Sequence, residues 1–529
     1  MKSVFTFDEI RDIEKKIIET GNVPSLLLME NAGKNSCDSI ISQIPGIRDK
    51  EIYILCGKGN NAGDGFTLAR HLLIKDISCT VVMLVSHENL KGDALKNYGL
   101  LSLCKCDIID YPEFQKISSK FQKRKNIILV DAILGTGIKG DLDETFRNVI
   151  EHVNSLKEKN SKLTIISLDI PSGIMSGEQI NPVIDADYTV LMGTYKAELL
   201  FGAGKESRGE MTVVPIGITE ALLDENNSYG KYLIELEDIQ KIFPRRKKTS
   251  HKYSGGKVLV IGGSKGLSGA VIMSSVASLK SGAGAAVAAI PVGISPAFNK
   301  KLFEVMTVEL DETPDGTINK GQFDKIRKRI DWADVVLIGP GISTNENTKE
   351  FVFDVIGNCE KPMVIDADGL NIVSDNIQVI KNRKFNNEIF LTPHPGEFSR
   401  LTTIDIKDVM LHRFELVSNF AEENKVNISL KSETTVSYTC KNDNEYSGKF
   451  YINSTGNESL ATAGSGDVLS GIIASMYAQT KNPVKTLVCG NYLHGLCADL
   501  YAKKYGNKQT ATPQDILKFI PKAITKILN

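Results

Sequence analysis

The residues with the strongest claim to chemistry lie near the C-terminal end, in Asn453–Met476, NSTGNESLATAGSGDVLSGIIASM. A small Gly-rich loop, Ala463-Gly464-Ser465-Gly466, runs into Asp467 and then into an apolar helix expected over Val468–Met476. Glycines let the backbone turn sharply and approach a ligand closely. The free amides of the next helical turn, with the helix dipole behind them, make an anion site. A carboxylate beside such a site repels phosphate. Asp467 is therefore either a plain helix cap or a base that takes a proton from a hydroxyl attacking that phosphate. Upstream residues favour the base. Lys431, followed by Ser432, Glu433, Thr434 and Thr435, ends an apolar run, and His394-Pro395-Gly396-Glu397 ends another. These parts suit phosphoryl transfer from a nucleotide to the hydroxyl of a substrate held by the His394 turn, with catalysis mostly by positioning and charge neutralisation. Flanking prolines hold His394 rigidly, which favours binding over a packed or capping role.

The first half carries a second collection. Glu51–Cys56 reads as a strand, followed by Gly57-Lys58-Gly59-Asn60-Asn61-Ala62-Gly63-Asp64-Gly65 and a helix through Ala69. The spacing formally satisfies a dinucleotide-binding GxGxxA loop. It lacks the rest of that signature: no acidic residue ends the next strand, Cys79–Val85, and Asp64 would face a pyrophosphate. Further strands end in Asp131, in Asp169-Ile-Pro171-Ser172-Gly173, and in Gly193-Thr-Tyr-Lys196. Strand-end Asp residues are common turn formers, but four successive polar strand ends point to a ligand crevice at the carboxyl rim of an α/β sheet.

The elements that must position these groups alternate between β-branched runs and amphipathic stretches, and 529 residues exceed what one core usually supports. Phe7, Ile10, Ile13 and Ile17 mark a helix over residues 6–20, and Pro24–Gly33 reads as a second. The alternation lapses between about Leu222 and Gly256, around Asp224–Ser228 and the basic cluster Arg245–Lys248. The boundary falls there, between residues 1–222 and 230–529. A second α/β series begins at Lys257–Ile261; its Gly262–Ala270 loop is no Walker A motif, because no GK[ST] follows. An amphipathic helix near Pro513–Leu528 closes the chain. With 63 basic and 64 acidic residues the formal charge is −1, so nothing points to nucleic acid as a bulk electrostatic partner. The nine cysteines show no zinc spacing and fit a reducing cytosol. No apolar run is long enough for a membrane span, and the N-terminus has no signal-peptide core, so a cytoplasmic location is expected.

Taken together, the chain resembles the bifunctional NAD(P)H-hydrate repair enzymes, an epimerase domain fused to an ADP- or ATP-dependent dehydratase domain of the ribokinase-like superfamily. The resemblance rests on Met29–Gly33, Gly59–Gly65, Asp131–Gly137 and Asp169–Gly173 in the first half. In the second it rests on Gly262–Ala270, Gly339–Gly341, Asp366–Asn371, Thr392–Glu397 and Ala461–Gly471. It implies an α/β protein of two domains, an N-terminal Rossmann-like three-layer α/β/α sandwich and a C-terminal ribokinase-like α/β domain. The implied substrates are NADH or NADPH hydrated at C6 of the nicotinamide ring, with ADP (or ATP) as co-substrate, Mg²⁺ and K⁺ as ions, no nucleic-acid or membrane partner, and a homo-oligomeric state.

By the same resemblance, Asn60, Asn61, Ala62, Gly63 and Asp64, with Gly135, Thr136, Gly137, Ile138, Lys139, Gly140, Asp141 and Asp169, would bind the hydrate in the first domain. Asn61, Asp131 and Ser172 would ligate potassium, with a bare hydrogen-bonded network as the alternative. Asp169 and Lys196 would serve epimerisation, Asp169 moving or stabilising a proton and Lys196 positioning. In the second domain Gly341, His394, Pro395, Gly396, Glu397, Phe398, Ser399 and Arg400 would hold the hydrate. Lys431, Ser432, Glu433, Thr434 and Thr435 would hold the nucleotide, with Asn457, Glu458, Ser459, Leu460, Ala461, Thr462, Ala463, Gly464, Ser465 and Gly466. Asp467 would deprotonate the C6 hydroxyl. Lys58, Ala62, Ser432 and Glu458-Ser459 depart from the family pattern; an acid at 458 fits only if it faces solvent or Mg²⁺. The alternative is a ribokinase-like small-molecule kinase carrying a non-catalytic binding module.

Overall fold

The computed structural model describes residues 1–21, 23–227, 230–442 and 445–529, leaving Ser228 of the expected boundary outside. The chain divides into two compact units, Lys2–Ser228 and Tyr229–Asn529. Residues 222–256 are partly regular, unlike the lapse that the pattern suggests: Lys231–Ile234 is a strand and Leu236–Ile242 a helix.

The N-terminal unit is built on seven strands: β1 (Glu51–Cys56), β2 (Thr80–Met83), β3 (Asp107–Asp110), β4 (Ile127–Ala132), β5 (Thr164–Leu168), β6 (Tyr188–Met192) and β7 (Glu210–Val214). They lie in the order β3-β2-β1-β4-β5-β6-β7, all parallel. This is a Rossmann-like sheet whose order reverses between β1 and β4, where open α/β sheets bind ligands. Helices α1 (Phe7–Thr20), α2 (Ser25–Gln43) and α3 (Asn60–Ile74) precede and follow β1. The glycines after β1 are only partly a loop. Helix α3 already begins at Asn60, and Gly63 and Gly65 lie inside it, because a Cβ on Gly65 would stand 2.7 Å from Ala132 Cβ and one on Gly63 2.5 Å from Met29 Sδ. These glycines serve helix packing. Ala62 is fully buried for the same reason.

The C-terminal unit continues with β8 (Lys231–Ile234), β9 (Lys257–Ile261), β10 (Ala285–Pro291), β11 (Met306–Leu310), β12 (Val335–Ile338), β13 (Met363–Ile365), β14 (Ile389–Leu391), β15 (Asn427–Leu430), β16 (Val436–Tyr438) and β17 (Phe450–Asn453). Their order is β11-β10-β9-β12-β13-β14-β15-β16-β17-β8. Pairing is parallel from β11 to β15 and antiparallel at β15–β16 and β16–β17. Helices α4 (Ser268–Lys280), α5 (Pro395–Thr402), α6 (Ser465–Thr480), α7 (Pro483–Tyr505) and α8 (Pro513–Leu528) cover it. The Ala/Ser character of α4 has a reason. A Cβ on Gly471 of α6 would lie 2.2 Å from the Ser274 carbonyl oxygen, so the two helices touch along small residues. Ser274 Oγ donates to the Asp467 carbonyl (3.0 Å) and Ser278 Oγ to that of Gly471 (3.0 Å). Among the described residues no helix is long and apolar enough to cross a membrane.

Candidate active sites

In the N-terminal unit, the loops after β1 and β4 enclose a cavity of about 570 Å³ at the point where the strand order reverses. Asn60, Asn61, Asp64, Gly135, Thr136, Gly137, Ile138, Lys139, Asp141 and Asp169 line it. Ala62, Gly63 and Gly140 do not. The first two face the core from inside α3, so any contact with a ligand would be through backbone. Asp169, in the left-handed region (φ 63°), accepts at Oδ1 from Met192 N–H (3.0 Å) and from Lys196 Nζ. A non-glycine residue held there carries a backbone cost of roughly 1–3 kcal/mol. Lys196 is 2% exposed, also donates to the Met192 carbonyl (2.8 Å), and reaches the cavity only through Asp169.

Asp131 and Ser172 lie beneath the cavity floor. Asp131 Oδ1 accepts from Ser172 Oγ (2.5 Å) and Ile133 N–H (3.2 Å), and Oδ2 from Ser167 Oγ and Ser172 N–H (2.8 Å each). The hydrogen-bonded network therefore exists. Two features remain unsatisfied. Asn61 Nδ2 donates to the Leu134 carbonyl (2.9 Å), but its Oδ1 is buried with no partner among the described residues. Burial also pushes the Asp131 carboxyl up despite these donors. A cation satisfies both, and Ser172 Oγ has a second acceptor in Leu134 O (3.2 Å), so turning its proton there frees a lone pair of Asp131. The residues fit a potassium ion.

Two acids at this cavity were invisible as site residues or were given another role. Glu14 of α1 lines the cavity, and neither it nor Asp64 has a hydrogen-bond partner among the described residues. Burial, then the nearby Asp169 carboxylate, pushes Glu14 up to about 7 against the pull of Lys196. Burial, then Asp169 and Glu14, pushes Asp64 well above the carboxylate range. Nothing in the local sequence separates Glu14 from its neighbours Glu9 and Glu19.

In the C-terminal unit the ends of β12–β15 and the start of α6 converge. Helix α6 begins at Ser465, earlier than the expected Val468, with Gly464 left-handed (φ 93°) at its N-cap. Asp467 thus stands in the first turn and caps nothing; its carboxyl has no hydrogen bond among the described residues. Burial and the nearby Asp366 raise Asp467 to about 7, while Lys431 opposes them. Lys431 Nζ binds Asp366 Oδ1 (2.9 Å), stands 4.0 Å from Glu397 Oε2, and lies 3.3 Å from where a Cβ on Gly466 would sit. It therefore faces the open amides of α6. Asp366, 1% exposed, also accepts from Thr392 Oγ1 (2.7 Å), while its Oδ2 is left without a partner. Beside it Ala367 has φ 52° and ψ −126°, a second strained non-glycine position. The strand ends after β13 were legible as polar, but Asp366 was not singled out.

His394 does not sit in a turn. It is the N-cap of α5: Nδ1 accepts from the amides of Gly396 (3.0 Å) and Glu397 (3.3 Å), and Glu397 Oε2 accepts from His394 N–H (2.8 Å). Burial, then Lys431 and Arg400, lowers its pKa. A neutral ring accepting at Nδ1 carries its proton on Nε2, which stands 3.6 Å from Glu397 Oε1. Pro395, Gly396, Ser399 and Arg400 share that helix, whereas the Phe398 ring is wholly buried and only supports it. Arg400 Nε is held by Asn371 Oδ1 (3.0 Å). Gly341, left-handed at φ 62°, is clasped by Ser264 Oγ on its carbonyl (2.9 Å). Around the Gly-rich loop, Asn457 Nδ2 and Gly456 N–H bind Asp499 (2.8 and 3.0 Å), and residues 458–460 make one 3₁₀ turn. Ala461, Thr462 and Ala463 are exposed, Leu460 and Gly464 partly so, and Ser459 is buried. Glu458 is exposed and paired with Lys508 (2.9 Å), so it faces solvent. In the Lys431–Thr435 stretch, Glu433 pairs with Arg413 (3.4 Å), Ser432 Oγ closes on the Thr434 carbonyl (2.7 Å), and Thr435 O accepts from Asn453 N–H (2.9 Å). His494, missed in the sequence, contacts Ser465 Oγ through Nε2 (3.2 Å); burial and Lys431 hold it down at about 4.

The fold and the sites define a two-domain α/β enzyme, a Rossmann-like unit followed by a ribokinase-like unit. The family model described as NAD(P)H-hydrate dehydratase matches residues 258–522, and that described as YjeF-related protein N-terminus matches residues 25–197. The bifunctional NAD(P)H-hydrate repair enzyme of Moorella thermoacetica is 34% identical, covering 94% of this chain and 92% of its own. That of Dictyoglomus turgidum is 32% identical, covering 99% and 98%. Among solved structures, an ADP/ATP-dependent NAD(P)H-hydrate dehydratase from Bacillus subtilis, co-crystallized with ATP/Mg²⁺, is 26% identical over 55% of this chain and 97% of that chain, with a TM-score of 0.47. The chain belongs to the family of bifunctional NAD(P)H-hydrate repair enzymes.

Proposed function

We propose that this enzyme returns hydrated NADH and NADPH to their reduced forms: the N-terminal unit interconverts the R and S hydrates, and the C-terminal unit dehydrates the S form with ADP or ATP. The observation that carries it is Asp467, an unpaired carboxyl of raised basicity in the first turn of α6, facing Lys431. The hydrate would lie along Gly341 and the α5 start, with His394 Nε2–H and Arg400 as donors. The nucleotide would lie on Lys431–Thr435 and Asn457–Gly466, its transferred phosphate on the α6 amides. Asp467 takes the proton of the C6 hydroxyl and the oxygen attacks the terminal phosphorus, releasing AMP from ADP. Phosphate then leaves with the C6–O electron pair, and loss of a C5 proton restores the ring. Among the described residues no group of three or more His, Cys, Asp or Glu side chains could hold a metal ion, so Mg²⁺ would arrive on the nucleotide phosphates, as it commonly does. The nine free cysteines support a reducing, cytosolic setting.

The test is direct. Given a mixture of hydrates and ADP, the whole chain should restore NADH absorbance from both epimers. Residues 230–529 produced alone should consume only the S form, and residues 1–222 should interconvert the two without nucleotide. Consumption of both epimers at equal rates by the second segment would overturn the division of labour, and accumulation of a phosphorylated product would favour a small-molecule kinase.

Asn61 Oδ1, the Asp131 carboxylate and Ser172 Oγ would hold potassium, a singly charged ion that suits one carboxylate with neutral oxygens. Bound there, the ion supplies positive charge that orders the loops after β1 and β4. The N-terminal unit should melt at a higher temperature in K⁺ than in Li⁺ at constant ionic strength, and Asp131→Asn should abolish the difference. Equal melting temperatures in the two salts would leave the hydrogen-bonded network as the whole account.

A further inference from the structure

We propose that Glu14 is the proton donor of the N-terminal active site, giving its carboxyl proton to the C6 hydroxyl of the hydrate as the C6–O bond breaks. This rests on reading that unit as an epimerase. Glu14 comes from α1, before the segment 25–197 that the family model matches, and helix α1 is fastened to the cavity wall by Arg11, which donates to the Thr136 carbonyl (2.6 Å).

Exchanging the C6 configuration needs a group that can protonate the departing oxygen and one that can deprotonate the water arriving on the opposite face. The charged groups around Glu14 sort themselves by contact. Lys196 is sealed beneath Asp169 and absent from the cavity wall. Asp169 has Oδ1 occupied by Lys196 and the Met192 amide, leaving Oδ2 free of donors among the described residues and open to accept a proton. Asp64 also lines the cavity but is 8% exposed within α3 and more enclosed than Glu14, and burial pushes its carboxyl well above the ordinary carboxylate range. Arg11, Lys58 and Lys139 line the cavity as basic residues, and its other acids are engaged: Asp93 with Lys96 (3.0 Å), Asp141 with Arg147 (3.7 Å) and Asp143 with the Phe146 amide (3.1 Å). Among the described lining residues only Glu14 and Asp64 are acids without a hydrogen-bond or ion-pair partner, and Glu14 is the more open of the two and stands at about 7.

The step balances without redox chemistry. The C6–O electron pair leaves with the oxygen, which takes the Glu14 proton and departs as water, while the N1 lone pair forms the N1–C6 π bond. A second water adds to C6 from the other face as that π pair returns to N1, and gives its proton to Asp169. The protonated Asp169 and ionised Glu14 re-equilibrate through solvent, and the reverse reaction runs the roles backwards.

The experiment follows interconversion of chromatographically separated R and S hydrates of NADH by the full chain, without nucleotide. In Glu14→Gln, kcat should fall by about a hundredfold or more, KM should stay within about threefold, and the loss of kcat/KM above pH about 7 expected of the natural chain should disappear. Glu14→Asp, which retracts the acid by one methylene, should lose rate but keep that alkaline limb. A kcat in both variants within threefold of the natural chain would overturn the proposal, as would a change confined to KM with the limb intact in Glu14→Gln. Should Glu14→Gln fail to melt cooperatively, Glu14→Asp decides alone: unchanged kcat overturns the role. A natural chain that interconverts no epimers would instead reject the epimerase reading itself.

Discussion

Asp467→Asn is expected to lower nucleotide-dependent dehydration by about two to four orders of magnitude, the usual loss on removing a general base. Nucleotide affinity should stay within a few-fold, since the amides of α6 and Lys431 remain. The pH profile gives the same residue a second signature. Only ionised Asp467 can accept the hydroxyl proton, and its folded pKa is raised to about 7. Dehydration by the natural chain should therefore rise with pH through about 7 and level off above, and that acid limb should vanish in the variant. The stability effect has the opposite sign. A carboxyl whose folded pKa is raised favours folding while protonated and loses that contribution as pH climbs from the ordinary carboxylate range through about 7. Asp467→Asn should accordingly be at least as stable as the natural chain at pH 8, measured by denaturant unfolding. Activity within a few-fold of the natural chain would remove Asp467 from the mechanism.

Lys431→Met should cost more in folding than any other single change at the C-terminal site. Burial works to lower the Lys431 pKa, yet Asp366 and then Glu397 hold it above its ordinary value. Removing it strands Asp366, which is 1% exposed and already has one oxygen unsatisfied. Breaking a buried ion pair from one side typically costs about 3–5 kcal/mol, most of it the penalty of the orphaned charge. Neutralising the partner isolates that penalty. Lys431→Met with Asp366→Asn should recover most of the lost stability but none of the nucleotide affinity, because the cation facing the α6 amides is still absent. If the double variant were as unstable as the single one, the cost would lie in packing of the lysine stem instead.

How much of this was legible in the sequence depended on whether the signal was local. The parallel strands announced themselves as β-branched runs, and the amphipathic helix Pro513–Leu528 has the expected bounds. Helix starts were harder. Both α3 and α6 begin inside Gly-rich stretches that read as loops, because glycine's low helix propensity hides that Gly63, Gly65 and Gly471 are demanded by close packing. The short antiparallel strands β16 and β17 lie among Ser, Thr, Asn and Lys residues, where alternation is weak. Site residues at strand ends could be read from order alone. Glu14 and His494 could not: Glu14 lies on a helix among similar acids, His494 is a lone histidine on an apolar helix, and each acquires its role only where distant segments meet. The left-handed backbone at Asp169 and Ala367 likewise has no signature in residue type, since neither is glycine.

The seam between α4 and α6 limits how this enzyme can drift. Asp467 is hung by its own carbonyl from Ser274, and one turn on Gly471 is hung from Ser278. A larger side chain at 471 would meet the Ser274 carbonyl, whereas the Asp467 carbonyl has a second hydroxyl donor in Ser470 Oγ (3.1 Å), so the close approach of the two helices is the stricter constraint. Ser274, Ser278 and Gly471 thus set the spacing of the two helices behind the base, and a bulkier residue at 471 would displace Asp467 without touching any ligand.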